Sequence, residues 1–159
     1  MYPQASHSKT KVFTRKVTTV FTLSKEELKE LSEMGWVPFR KFQQGTATKQ
    51  DWFEMTLRVK FALELSKDHY ELVTTLELEQ SHKACLAIME RAVVEGTGIW
   101  SMTEQEAALI SAALEAVDEM QTQVPRRIMA PILRRCVVEM RRKYVKDEKL
   151  APLLPKSLK

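Results

Sequence analysis

The stretch Asp51-Trp52-Phe53-Glu54-Met55-Thr56-Leu57-Arg58-Val59-Lys60-Phe61-Ala62-Leu63-Glu64-Leu65-Ser66-Lys67-Asp68-His69-Tyr70 decides the fold, because it satisfies two periodicities at once. Met55, Leu57, Val59, Phe61, Leu63 and Leu65 alternate with polar residues or Ala, as in a half-buried strand. A hairpin with residues 70–79 would complete that arrangement. Three features favour a helix instead. Asp51 and Glu54 form an N-terminal capping pair, most of the residues are good helix formers, and Trp52, Met55, Val59, Ala62 and Leu63 share one helical face.

Toward the N-terminus, residues 12–23 are dense in β-branched and aromatic side chains, with Phe13, Val17, Phe21 and Leu23 on one face of a period-2 pattern. They read as a strand. Ser24 and Glu27 then form a capping box, with Leu23 and Leu28 as its hydrophobic staple, and Gly35 stands where a C′ glycine would close a short helix. Residues 36–42 read as a second short strand, confined to an edge by Pro38.

Toward the C-terminus, residues 81–95 form a helix with Leu86, Met89 and Val93 spaced three and four apart, stopped by Gly96. A capping box, Ser101 with Glu104 or Thr103 with Glu106, opens the next helix, whose apolar positions run from Leu109 and Ile110 to Met120. The last helix covers residues 126–144, with an apolar stripe of Ile128, Met129, Ile132, Leu133, Cys136, Val137, Met140 and Tyr144. Pro131 either kinks it or starts it. The fold expected is mainly α: a bundle of four to five helices with a small N-terminal β element. Residues 11–146 make a single domain, between tails at 1–10 and 147–159.

Composition agrees with this. In 159 residues, 44% apolar and 29% charged, the 4 Gly and 6 Pro argue against a loop-rich all-β, collagen-like or disordered chain. Cys85 and Cys136 are too few for a disulfide framework, and the first residues lack the apolar stretch of a secretory signal. A reducing cytoplasm is the expected location. No run reaches the ~18 apolar residues that span a bilayer, so integral membrane association is not expected.

The order Asp51-Trp52, Ala62-Leu63, Gly98-Ile99-Trp100 and Asp118-Glu119-Met120-Gln121 resembles a loose set of small helical proteins encoded on bacterial plasmids and prophages. The resemblance covers the middle half of the chain. It implies a helical fold for residues 51–70 and carries no activity or site residues.

Catalytic constellations are thin. Glu79, His82 and Cys85 share a helix face, but the second Glu-x-x-His motif and the extra glutamates of a di-iron bundle are missing, as are two further zinc ligands. Gly96-Thr97-Gly98 lacks the Gly-Lys-Ser/Thr of a P-loop and the third glycine of a dinucleotide fingerprint, and reads as a helix stop with Trp100 plugging the core. The acidic cluster Glu115, Asp118 and Glu119 reads as a solvated face. No catalytic residue, cofactor or metal is expected, and the protein is read as a non-enzyme.

Charge is more informative, since the net +4 hides a strong separation. Residues 1–20 carry +4, residues 21–70 balance, residues 71–124 carry −8 and residues 125–159 carry +8. On the last helix Arg127, Arg134 and Arg141 recur every seven residues, flanked by Arg126, Arg135, Arg142 and Lys143, so a guanidinium ridge lies beside the apolar stripe. Such a ridge suits a polyanion. The plainer alternative is that it pairs with Glu106, Glu115, Asp118 and Glu119 of the preceding helix, while Arg141 to Lys143 complement the helix dipole. A second basic patch, Arg40 and Lys41 among Trp36, Phe39 and Phe42, resembles single-strand binders, although aromatic residues so placed are more often core.

The sequence therefore predicts a regulatory or adaptor protein with a protein partner. The alternative is direct binding of DNA or RNA by the arginine-rich helix, and the open edge of the N-terminal strand predicts a homodimer.

Overall fold

The computed structural model describes residues 23–144. Five helices follow one another: α1 (Lys25–Gln44), α2 (Lys49–His69), α3 (Leu72–Met89), α4 (Glu104–Met120) and α5 (Arg126–Tyr144). The helix α3 continues into a π-helical turn, Glu90–Val94. There is no strand among the described residues. The expected strand at 12–23, and the dimer built on its edge, lie outside them except for Leu23, which is buried just ahead of α1.

Residues 51–70 are helical, and α2 is the axis of the bundle. It packs against α1, α3, α4 and α5. No residue from 51 to 66 is exposed, and only Glu54, Lys60 and Glu64 are partly so, which leaves α2 a narrow solvent strip. A helix covered on nearly every side needs apolar residues nearly all round, and a 3.6-residue period disappears from its sequence. Its start lies three residues ahead of the expected one. Thr48 is the N-cap and Asp51 the third residue of its capping box, with Thr48 N–H donating to Asp51 Oδ2 at 2.8 Å.

The expected break at Gly35 and the strand over 36–42 are corrected by the structure. Ser24 and Glu27 cap α1 as anticipated, but the helix runs through Gly35 and Pro38 to a left-handed Gly45. Gly35 serves packing: a Cβ there would meet Leu114 Cδ2 at 2.6 Å and Arg58 Cγ at 3.3 Å. Its missing side chain lets α1 approach α2 and α4. Phe39 and Phe42, read as strand residues, are core residues on the inner face of the helix.

In α3 the helix begins at Leu72 rather than 81, and the buried positions are Thr75, Leu78, Ser81, Ala84, Cys85 and Ile88. Ala92 continues the buried side in the π-helical turn, whereas Val93, expected inside, is 53% exposed. Ser81 Oγ donates to Leu109 O at 2.8 Å and ties α3 to α4. The Thr103 and Glu106 capping box opens α4, and α5 occupies the anticipated residues with Pro131 on its exposed side.

Candidate interaction surface

A helix advances 100° per residue, which divides α5 into two arcs. One arc, with Met129, Ala130, Ile132, Leu133, Cys136, Val137 and Met140, is buried. The opposite arc carries Arg127, Pro131, Arg134, Arg135, Val138 and Arg142, all exposed, with Arg141 at its border and partly covered. From Arg127 to Arg141 the ridge is about 21 Å long at 1.5 Å per residue. Lys143 is exposed at its end, its Nζ 5.4 Å from the Tyr144 ring centroid.

The other basic candidates do different work. Arg126 pairs with Glu27 in the first turn of α1, which fixes the start of α5 to the bundle. Lys41 binds Asp51 Oδ1 at 3.1 Å and joins the end of α1 to the start of α2. Arg40 is exposed on α1. Trp36, Phe39 and Phe42, around these two, face inward: Phe39 and Phe42 are buried, and Trp36 stacks edge-on against Phe39 with centroids 5.5 Å apart. They present no rings on which bases stack.

Pairing between the ridge and α4 does not account for the two most tightly held α4 carboxylates. Glu106 binds Arg91 at 2.5 and 2.8 Å and accepts from Thr103 N–H. Burial works to raise the Glu106 carboxyl, but Arg91 and the Thr103 backbone hold it below its ordinary value. Asp118, read as part of a solvated cluster, is the centre of a polar network. Its Oδ1 accepts from Arg58 Nη2 at 2.9 Å, and its Oδ2 accepts from Ser32 Oγ and Trp36 Nε1, both at 2.8 Å. Gln121 completes the network by accepting from Arg58 Nη1 at 2.8 Å.

Arg58 is the residue that sequence reasoning missed. Its side chain is 0% exposed, and burial brings its pKa down to about 10 against the opposing pull of Asp118. The available signal was a lone arginine in a run with an apolar residue on either side. In a helix packed against four others, an arginine so flanked is enclosed only with partners, here Asp118 and Gln121.

The remaining candidates are held in inert forms. Burial pushes the Cys85 and Cys136 thiols up to about 12, so both are neutral at physiological pH. His82 Nε2 is buried without a hydrogen-bond partner. Burial, reinforced by Lys60 and Lys143, brings its pKa down to about 4. No group of three or more His, Cys, Asp or Glu that could hold a metal occurs among the described residues, and no described helix is long and apolar enough to cross a membrane. Trp100 is half-buried against Trp52, with ring centroids 5.7 Å apart.

Comparison with family models, curated proteins and solved structures finds no match to this chain.

Proposed function

We propose that the protein is a non-enzymatic regulatory or adaptor protein whose working surface is the arginine face of α5, with an anionic surface on its protein partner. One observation carries this reading: Arg127, Arg135 and Arg142 are exposed on the solvent arc of α5, around Pro131 and Val138, while Glu106 and Asp118 of α4 are engaged by Arg91 and Arg58. Arginine is suited to the task because its planar fork binds carboxylates or phosphates in pairs and sheds water easily. The cytoplasmic location expected from the sequence belongs to the same proposal.

Direct DNA or RNA binding is the second reading, favoured by the length of the ridge, which is long enough to meet several phosphates. The two readings separate in one experiment. Wild-type protein and an Arg134→Gln, Arg135→Gln, Arg141→Gln, Arg142→Gln variant serve as bait in a native-host lysate, with and without nuclease. Capture of a protein that survives nuclease and disappears with the variant supports the adaptor reading. Loss on nuclease treatment supports nucleic acid, and heparin retention should then fall with a log–log salt slope reduced by ~0.9 for each phosphate contact removed. Identical capture by variant and wild type overturns both.

A further inference from the structure

The corner between α3 and α4 leaves apolar side chains in water. Val93, Val94 and Ile99 are 53%, 70% and 65% exposed. They stand on one closed turn, because Thr97 N–H donates to Arg91 O at 3.4 Å and Gly98 N–H to Ala92 O at 2.9 Å. Gly96 and Gly98, at φ 75° and 68°, supply the left-handed backbone that this closure needs. Scattered exposed aliphatics are ordinary, whereas three carried on one closed turn offer an apolar surface that a docked segment would cover. The surroundings are acidic. Glu90, Glu95, Glu104 and Glu106 belong to this turn and the start of α4, and the one cation among them, Arg91, is bound by Glu106. Glu90, Glu95 and Glu104 are exposed.

The end of α5 arrives at this corner. Tyr144 packs edge-on against Trp52 with centroids 5.1 Å apart, and Trp52 lies 5.7 Å from Trp100, the neighbour of Ile99. Two indoles, Trp52 and Trp100, link the last described residue to the apolar turn. Residues 145–159, which continue the chain beyond Tyr144, are complementary in chemistry: Leu153 and Leu154 sit between Pro152 and Pro155, and four lysines outnumber Asp147 and Glu148. At ~3.3 Å per residue, the chain from Tyr144 to Leu153 can span about 30 Å, enough to reach any point on the corner.

We propose that residues 145–159 dock on this acidic corner of their own chain, with Leu153 and Leu154 covering Val93, Val94 and Ile99. The flanking prolines limit the conformations of the leucine pair and so lower the entropy lost on docking. Attachment to α5 gives an effective concentration on the order of millimolar, which favours the same chain over a second copy. The inference rests on the corner and the aromatic stack, independent of the arginine ridge.

Limited trypsinolysis of the full chain, with cleavage after Lys149 and Lys156 followed by mass spectrometry, tests it. Ile99→Asp, Val94→Asp and the pair Leu153→Asp, Leu154→Asp should each accelerate these cleavages roughly tenfold, since docking holds the segment closed against the protease. Combining Ile99→Asp with the leucine pair should add nothing further, because both remove one contact. Cleavage of wild type as fast as of Ile99→Asp overturns the proposal. So does protection that rises with protein concentration, which would assign the corner to a second copy. Circular dichroism should show the helices intact in each variant, since Val94 and Ile99 are exposed and Leu153 and Leu154 lie outside the five helices.

Discussion

The helices α2 and α5 are of similar length, at 21 and 19 residues, yet they use arginine in opposite ways. In α2, Arg58 is 0% exposed and its guanidinium is shared between Asp118 and Gln121, so it belongs to the fold. In α5, Arg127, Arg134, Arg135 and Arg142 stand on the solvent arc, over a core face that contains no charged residue. A helix surrounded by four others has nowhere to place a cation except against a partner, whereas a helix at the edge has a free face. Position in the bundle, rather than residue type, decides which arginines are enclosed by the fold and which stand in solvent.

The sharpest way to break this comparison is to unpair Arg58. Asp118→Ala leaves a buried cation with one side-chain acceptor and removes the partner of Ser32 and Trp36. Loss of one member of a buried pair costs roughly 3–5 kcal/mol, and the partial exposure of Asp118 places the expectation at the lower end. Urea denaturation measures it. Arg58→Met with Asp118→Asn should recover much of the loss, since an apolar side chain of similar length needs no counter-charge. If Asp118→Ala melts like wild type, Arg58 is held by something other than this network.

A second, smaller effect appears with pH. His82 belongs to the side of α3 that meets α2 and α5, where Lys60, Lys67 and Lys143 oppose its protonation and Glu64 favours it. Its pKa of about 4 in the folded chain lies below the ordinary 6.5, so between these values the unfolded chain binds more protons than the folded one. Stability from this group is complete above pH 6.5 and is lost as the pH falls toward 4. The melting temperature should therefore decline over that interval, and His82→Gln should flatten the decline. A parallel pH profile for the two proteins would remove His82 from the account.

The legibility of the sequence divides along the same line. The edge helix α5 was legible from its first residue to its last because its apolar stripe and its arginines keep separate arcs. Capping boxes at Ser24 and Thr103 were legible because they are local. The helix α2 was ambiguous because burial on nearly every side erases its period, and the choice rested on propensity and a capping pair three residues out of place. Gly35 was misread because a glycine that admits Leu114 resembles, in sequence, a glycine that ends a helix. The role of Asp118 depends on Arg58, 60 residues away, and on Ser32 and Trp36, over 80 away. No local pattern announces such a pairing. In α3 the buried side is Cys85, Ile88 and Ala92, one residue ahead of the anticipated Leu86, Met89 and Val93, because small buried residues such as Ala84, Cys85 and Ala92 weigh less in a periodic pattern than partly covered Leu86 and Met89.

The smallest predicted change concerns the arginines on the other side of the comparison. Replacing Arg127, Arg135 and Arg142 together by Gln should alter the unfolding free energy by less than ~0.5 kcal/mol, because three small contributions nearly cancel. Arg127 lies in the first turn of α5, where a cation opposes the helix dipole, so its removal helps slightly. Arg142 lies in the last turn, where a cation is favourable, and its removal costs about as much. Arg135 stands four residues before Glu139, whose carboxylate is held mainly by Lys60 at 3.0 Å, so losing the arginine costs only a weak exposed pair. Relief of repulsion along the ridge offsets part of that cost, and more so at low salt, where screening is weakest. Urea denaturation at two ionic strengths checks the balance. A loss above ~1.5 kcal/mol at both would mean that these arginines are built into the fold as Arg58 is, and α5 would then have no free face to offer a partner.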